Sequence, residues 1–217
     1  MYSPTTILSE NSKCGCSLNL PIAGHCRPTP NCARCCYARS GHTALPASKH
    51  KQVYTSKYLA GNNITRLIEE ARTWPAVRLS GTGDLSLDHC KNLIRLAASV
   101  PRTMFWGMTR KIEIANEINH KLPNLKLMVS VDSSSPKSVW KYPGAMCWGP
   151  RLASDVVPND PRIHTVFPYH RSGRVINGVP TIDETAVQYG TKYQAAKSAA
   201  AAGTGKHNVH RHNRYTR

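Results

Sequence analysis

The sequence predicts an α/β fold: a partial or irregular (β/α) barrel with a cysteine-rich N-terminal loop region and a basic C-terminal tail. Three observations carry this reading. Between residues 51 and 150, short apolar strands alternate with amphipathic helices, as in βα units with parallel strands. Each strand runs out into glycine or small polar residues, where barrels of this kind keep their sites. No glycine-rich dinucleotide fingerprint follows the first strand, which favours a barrel over a doubly wound sheet. The expected organisation is one α/β domain over 1–190, its cysteine-rich loop at 11–50, then an Ala-rich segment and a His/Arg tail over 191–217.

The elements follow in order. Residues 1–50 are rich in turn formers (Pro21, Gly24, Pro28, Pro30, Gly41, Pro46) and show no periodicity beyond a short helix after Cys32. Ile64, Leu67, Ile68 and Ala71 recur at i, i+3, i+4 and i+7, one face of a helix capped by Asn62 or Asn63 and closed before Pro75. Val77–Ser80 reads as a strand entering Gly81-Thr82-Gly83-Asp84. Leu87, Cys90, Leu93, Ile94 and Ala97 mark a second helix, Thr103–Met108 a second strand, and Ile112, Ala115, Ile118 and Leu122 a third helix. Leu125–Val131 is a third strand, followed by Asp132 and a serine run, and Ala145–Trp148 and Ile163–Phe167 are weaker strands. The strand exits thus collect Ser80, Gly81, Gly83 and Asp84, then Thr109 and Arg110, then Ser130, Asp132 and Ser133. Taken singly, such residues are ordinary loop formers. Ala195–Ala202 reads as a helical stretch ahead of a basic end holding Lys206, Arg211, Arg214 and Arg217.

Charge narrows the partners. Lys and Arg number 29 against 12 acids, a formal +17, which favours polyanions, with nucleic acid ahead of an anionic membrane surface. No apolar run approaches the ~20 residues of a membrane span. Met1 to Asn11 lacks a signal-peptide pattern, so a cytoplasmic home with reduced thiols is expected.

Eight cysteines in such a chain need a reason, and Cys14, Cys16, Cys26, Cys32, Cys35 and Cys36 lie within the first 36 residues. Clustered intracellular cysteines read as metal ligands before disulfides. Cys90 and Cys147, standing apart, read as small buried hydrophobes. Cys26, Cys32 and Cys36 form C-x5-C-x3-C, and Cys35 in third place gives C-x5-C-x2-C. Three thiolates hold three irons of a 4Fe-4S cluster. The fourth iron is left for a small chelating molecule such as the methionine part of S-adenosylmethionine, whose sulfonium an electron from the cluster can cleave. Zinc is the structural competitor, with Cys14, Cys16, Cys32 and Cys35 as its four ligands.

The run Cys26 through Cys36 with Tyr37 and Ala38 resembles the cysteine motif of the phage gene-product-eighty-eight family, whose members are regarded as radical-SAM-like. Asn11-Ser12-Lys13, the strand and turn Val77–Asp84, and Pro123–Val131 are similar to that family's opening and to two of its strands, in the same order. The resemblance spans roughly residues 11–135. It implies a partial (β/α) barrel, a 4Fe-4S cluster on Cys26, Cys32 and Cys36, and S-adenosylmethionine binding. Gly81, Gly83 and Asp84 would then hold the amino group of the cofactor's methionine. Ser130 and Asp132, by strand position, would face its ribose or the substrate. The spacing departs from the common radical-SAM C-x3-C-x2-C.

The leading expectation is therefore a phage-encoded radical S-adenosylmethionine enzyme, served by a reducing electron donor, in the host cytoplasm. Its substrate would be a nucleotide or a nucleic-acid base, as in DNA modification. A base in duplex DNA would have to be flipped out, and Trp106, Trp140, Trp148 or Tyr169 are the stacking candidates, each read first as core packing. The alternative is a nucleic-acid-binding protein braced by an iron–sulfur cluster or zinc, without catalysis. A simple electron carrier ranks behind both.

Overall fold

A computed structural model describes residues 5–11, 15–34, 36–39, 41–149 and 156–166. Its frame is a seven-stranded sheet in strict sequence order: β1 (Ser9–Asn11), β2 (Gly15–Leu18), β3 (Ala76–Leu79), β4 (Met104–Thr109), β5 (Leu125–Val131), β6 (Met146–Trp148) and β7 (Ile163–Val166). Only β1 and β2 pair antiparallel; every later neighbour is parallel. An order without reversal has no switch point, so the sheet is not doubly wound. Among the described residues no ladder joins β7 to β1, so the sheet is open and does not close into a barrel.

The helices are α1 (Pro30–Arg34), α2 (Pro46–Ala60), α3 (Thr65–Arg72), α4 (Leu87–Ser99) and α5 (Ile112–Ile118). Period-two alternation decides which strand residues they cover. Val77 pairs with Phe105 and Phe105 with Leu125, and all three are fully buried with Leu67, Leu93 and Leu96 from the helices. Each such side chain is worth roughly 1.5–3 kcal/mol of burial. A second cluster joins Val129, Val131, Met146 and Trp148 to Ala115. The opposite face carries the row Ser17, Arg78, Trp106 and Lys126, and beyond it Ser130 beside Cys147. There the Arg78 guanidinium lies 5.7 Å from the Trp106 ring centre.

The periodic segments fold as their patterns predict. The N-cap position of α3 is Ile64, not the expected Asn62 or Asn63, and it makes no side-chain cap; Asn63 accepts the Thr65 N–H at 2.9 Å from one residue earlier. Cys90 and Cys147 are buried as expected. α5 stops at Ile118, earlier than the spacing to Leu122 predicts: His120 takes a φ of 73°, and the Asn119 side chain turns to bond Leu127 on β5. The helix around Cys32 begins before that cysteine, at Pro30, whose fixed φ suits a first turn. β1, β2 and α2 have no counterpart in the sequence reading. The Ala-rich and basic tail, Cys14, Cys35 and Tyr169 lie outside the described residues.

Candidate functional site

The parallel strands all point their C-terminal ends to one rim, and the segment after β2 crosses that rim carrying the cysteines. Its entry is fixed by backbone bonds to the turn after β3: Gly81 N donates to Leu18 O (3.1 Å) and Leu20 N to Thr82 O (3.0 Å). The turn allows this approach because two of its residues lack side chains. A Cβ on Gly81 would sit 2.3 Å from Asn19 Oδ1. One on Gly83, where φ is +71°, would sit 2.4 Å from Leu20 O. At the segment's exit the Tyr37 hydroxyl donates to the Gly81 carbonyl. Gly81 and Gly83 are thus already committed to seating the cysteine segment, whatever else binds there.

Cys26, Cys32 and Cys36 are half-buried free thiols. Burial pushes Cys26 up to about 12, and the charges of Asp84, Cys32 and Cys36 push the same way. Burial also raises Cys32, against a hydrogen bond and a positive charge from Arg110, while the charge of Cys36 adds to the rise. The three sulfurs therefore lie within electrostatic reach of one another. A cluster of cations, whether iron or zinc, reverses that cost by fixing the thiolate form.

Behind Cys32 stands a buried polar network. Thr29 donates its hydroxyl to Asp132 Oδ2 (2.5 Å) and accepts the Cys32 N–H (3.2 Å). Arg110 pairs with the same Asp132 oxygen at 3.0 Å, donates to Gly149 O at 2.7 Å, and gives its backbone N–H to Asp84 Oδ2 at 3.2 Å. Asp84 Oδ1 takes the Leu85 N–H (2.8 Å), and burial raises the Asp84 pKa. The Asp132 side chain has no exposed surface, because Thr29, Ser134 and Arg110 occupy its oxygens. It acts on the rim through these groups. Ser130 gives its hydroxyl to Gly149 O (3.0 Å) and lines a cleft of about 300 Å³ with Arg27, Thr29, Arg110 and Ser134.

On the other side of Cys26, His25 and His89 stack with ring centres 5.4 Å apart, and each Nε2 lies 3.2 Å from the Ser56 hydroxyl. The Ser86 N–H donates to His89 Nδ1 (3.2 Å), which places the neutral ring's proton on Nε2. Burial holds His89 down at about 4, so that ring is neutral near pH 7. No motif in the sequence links these two histidines.

Two buried polar atoms at this rim have no hydrogen-bond partner among the described residues: His25 Nδ1 and Ser80 Oγ. Ser80 also takes a φ of 54°, a conformation that costs a non-glycine residue on the order of 1 kcal/mol or more. A buried polar atom left unpaired costs free energy that a bound group can recover. Three half-buried thiols on the same rim have the donor chemistry that an iron–sulfur cluster uses. No three His, Cys, Asp or Glu of the described residues converge on a single metal ion. Of the four cysteines that zinc would need, Cys16 lies on β2 in the helix-side core, 1% exposed. Among the stacking candidates, Trp148 is buried and Trp140 packs on it at 5.9 Å, while Trp106 stands on the opposite sheet face.

No described helix is long and apolar enough to cross a membrane. A family model described as Gene product 88 matches residues 4–210. No curated protein matches, and no solved structure does.

Proposed function

The chain belongs to the gene product 88 family, and from that premise we propose that it is a radical S-adenosylmethionine-type iron–sulfur protein acting on a nucleotide, a nucleic-acid base or another anionic substrate. The observation that carries the reading is the placement of Cys26, Cys32 and Cys36 at the C-terminal rim of a sequentially wound parallel sheet. They stand beside the Ser80–Asp84 turn and a cleft with two arginines. In this reading the open sheet is a partial barrel whose rim is the site.

The three thiolates hold the cluster, with Cys35 as the other choice for third ligand. When bound, the cluster and S-adenosylmethionine supply one-electron bond cleavage. The protein's own part is to seat and shield. Gly81 and Gly83 let the cysteine segment lie against β3, and Tyr37 clamps its end. Asp84, deep beside Cys26, offers its carboxylate to the cofactor's amino group, and Ser130 opens on the cleft toward the ribose or the substrate. The formal +17 of the chain draws a polyanion, and Arg27, exposed at the cleft though paired with Glu113 at 2.6 Å, can exchange that partner for it.

One observation favours a second reading, a cluster-braced nucleic-acid-binding protein. Both Asp84 oxygens already accept backbone N–H groups, and the two glycines already serve internal packing. Anaerobic reconstitution decides between the readings, with iron, sulfide and zinc analysis and electron paramagnetic resonance with and without S-adenosylmethionine. A four-iron signal that changes with the cofactor is the expected result. A cluster indifferent to the cofactor, or stoichiometric zinc, would leave only the braced binding protein.

A further inference from the structure

We propose that the cleft between Arg27 and Pro136 takes a single nucleotide by its terminal phosphate, with Arg27 as the phosphate anchor and Glu113 as an internal competitor for that arginine; this rests on the substrate half of the reading above. The two arginines of the cleft are not equivalent. Arg110 pairs with Asp132 at 3.0 Å, donates to Gly149 O at 2.7 Å and reaches Ser130 O at 3.5 Å. Its side chain is 11% exposed, so it is wall and not anchor. Arg27 bonds the Glu113 carboxylate at 2.6 Å, and these two side chains are 72% and 42% exposed. A pair so open to solvent contributes little, and a stronger anion can replace the glutamate. A phosphomonoester is such an anion. Near neutral pH it carries about −1.5 to −2 charges and three acceptor oxygens, and arginine can hold it through two parallel N–H bonds.

The unused donors and acceptors of the cleft describe the rest of the ligand. The Ser135 hydroxyl accepts the Asp132 N–H at 2.8 Å. Among the described residues nothing accepts its proton, which is free for a phosphate oxygen. Ser130 is the reverse. Its proton goes to Gly149 O at 3.0 Å, which leaves oxygen lone pairs for a sugar hydroxyl. Thr29 and Ser134 both give their protons to Asp132. Pro28, Pro30 and Pro136 line the remaining wall and offer a base flat apolar surface. A volume of about 300 Å³ stands at the lower end of small-molecule sites, room for one nucleotide and not for a duplex.

Glu113 makes the site selective. Whatever binds Arg27 must displace it, and a doubly charged terminal phosphate does so more readily than the singly charged diester inside a strand.

The test is calorimetric titration of the full chain with adenosine monophosphate and with adenosine at constant salt. Arg27→Gln is expected to weaken the nucleotide on the order of tenfold and to leave adenosine within about twofold. Glu113→Gln is expected to act in the opposite direction, tightening the nucleotide by up to about fivefold. Both side chains are exposed, so both variants should fold. Arg95→Gln removes a charge from the exposed side of α4 and should change neither affinity. A loss there equal to that of Arg27→Gln would assign binding to overall charge and overturn the inference. So would nucleotide affinity that ignores Arg27, a Glu113→Gln variant that binds more weakly, or a DNA duplex without terminal phosphates that depends on Arg27 to the same degree. These titrations need no iron, so they can overturn the nucleotide site while the cluster reading stands or falls by its own spectrum.

Discussion

The helix-covered face of the sheet and the rim at its strand ends are built by different physics. The face is largely apolar, with Leu59, Leu67, Leu79, Leu93, Phe105 and Leu125 at 0% exposure. Its stability is a sum of non-directional contacts. The rim buries Thr29, Ser80, Thr82, Asp84, Thr109, Lys111 and Asp132, and each polar group there must find a partner with the right geometry. A core can settle around a lost methyl group; a polar network missing one member leaves a buried donor or acceptor stranded. The contrast separates what holds the protein together from what holds its site in shape, and variants in each region should fail differently.

The largest effect belongs to the face. Phe105→Ala removes a fully buried ring beside Val77 and Leu125 and should cost about 3–5 kcal/mol, measured by urea unfolding. Alkylation of Cys26 in the surviving folded fraction should keep its wild-type rate, and faster alkylation in that fraction would break the distinction.

Next comes the pH dependence contributed by His89. Its folded pKa of about 4 lies below the ordinary 6.5, so the neutral ring is the form the fold accepts. Its contribution is fully present above pH 6.5 and is lost as pH falls toward 4, by up to about 3 kcal/mol. Unfolding midpoints between pH 7.5 and 4.5 check this, and His89→Gln should flatten that part of the profile. A profile as steep in the variant as in wild type would assign the acid loss to other groups.

The smallest change in stability, and the most selective, is expected from Gly83→Ala. A positive φ and a Cβ at 2.4 Å from Leu20 O should cost about 1–3 kcal/mol, while the cysteine segment lifts from the turn. Faster alkylation of Cys26, with the β3–β5 amides still protected from hydrogen exchange, is the expected signature. Equal loss of protection in both regions would mean that rim and face unfold as one unit.

The same contrast explains what the sequence discloses. α3, α4, β3, β4 and β5 bury apolar side chains at regular spacing, so their patterns are visible. α2 escapes because its buried residues include Gln52, Thr55 and Ser56. They bond Thr43 O, Ile7 O and the two histidines, and a helix that packs by polar contacts has no hydrophobic stripe. β2 reads Gly15-Cys16-Ser17-Leu18, without the branched apolar residues that mark a strand, and its Cys16 looks like one more candidate ligand. At the site, Cys26, Cys32 and Cys36 stand close in sequence, so their meeting at the rim is written locally. The Thr29–Asp132–Arg110 network is not, because Thr29 and Asp132 are 103 positions apart and meet only through the strand register.

The antiparallel start of the sheet bears on how the protein is made. The N–H groups of Ile7 and Leu8 bond the carboxylate of Glu70 at 2.9–3.0 Å, and Tyr37 is clamped by Gly81, 44 positions later. During synthesis the cysteines emerge from the ribosome before the turn on which their segment is seated has been translated. In that interval the thiols have no docking surface. The nascent chain therefore leaves these thiols open to solvent and to oxidants alike until β3 and its turn arrive.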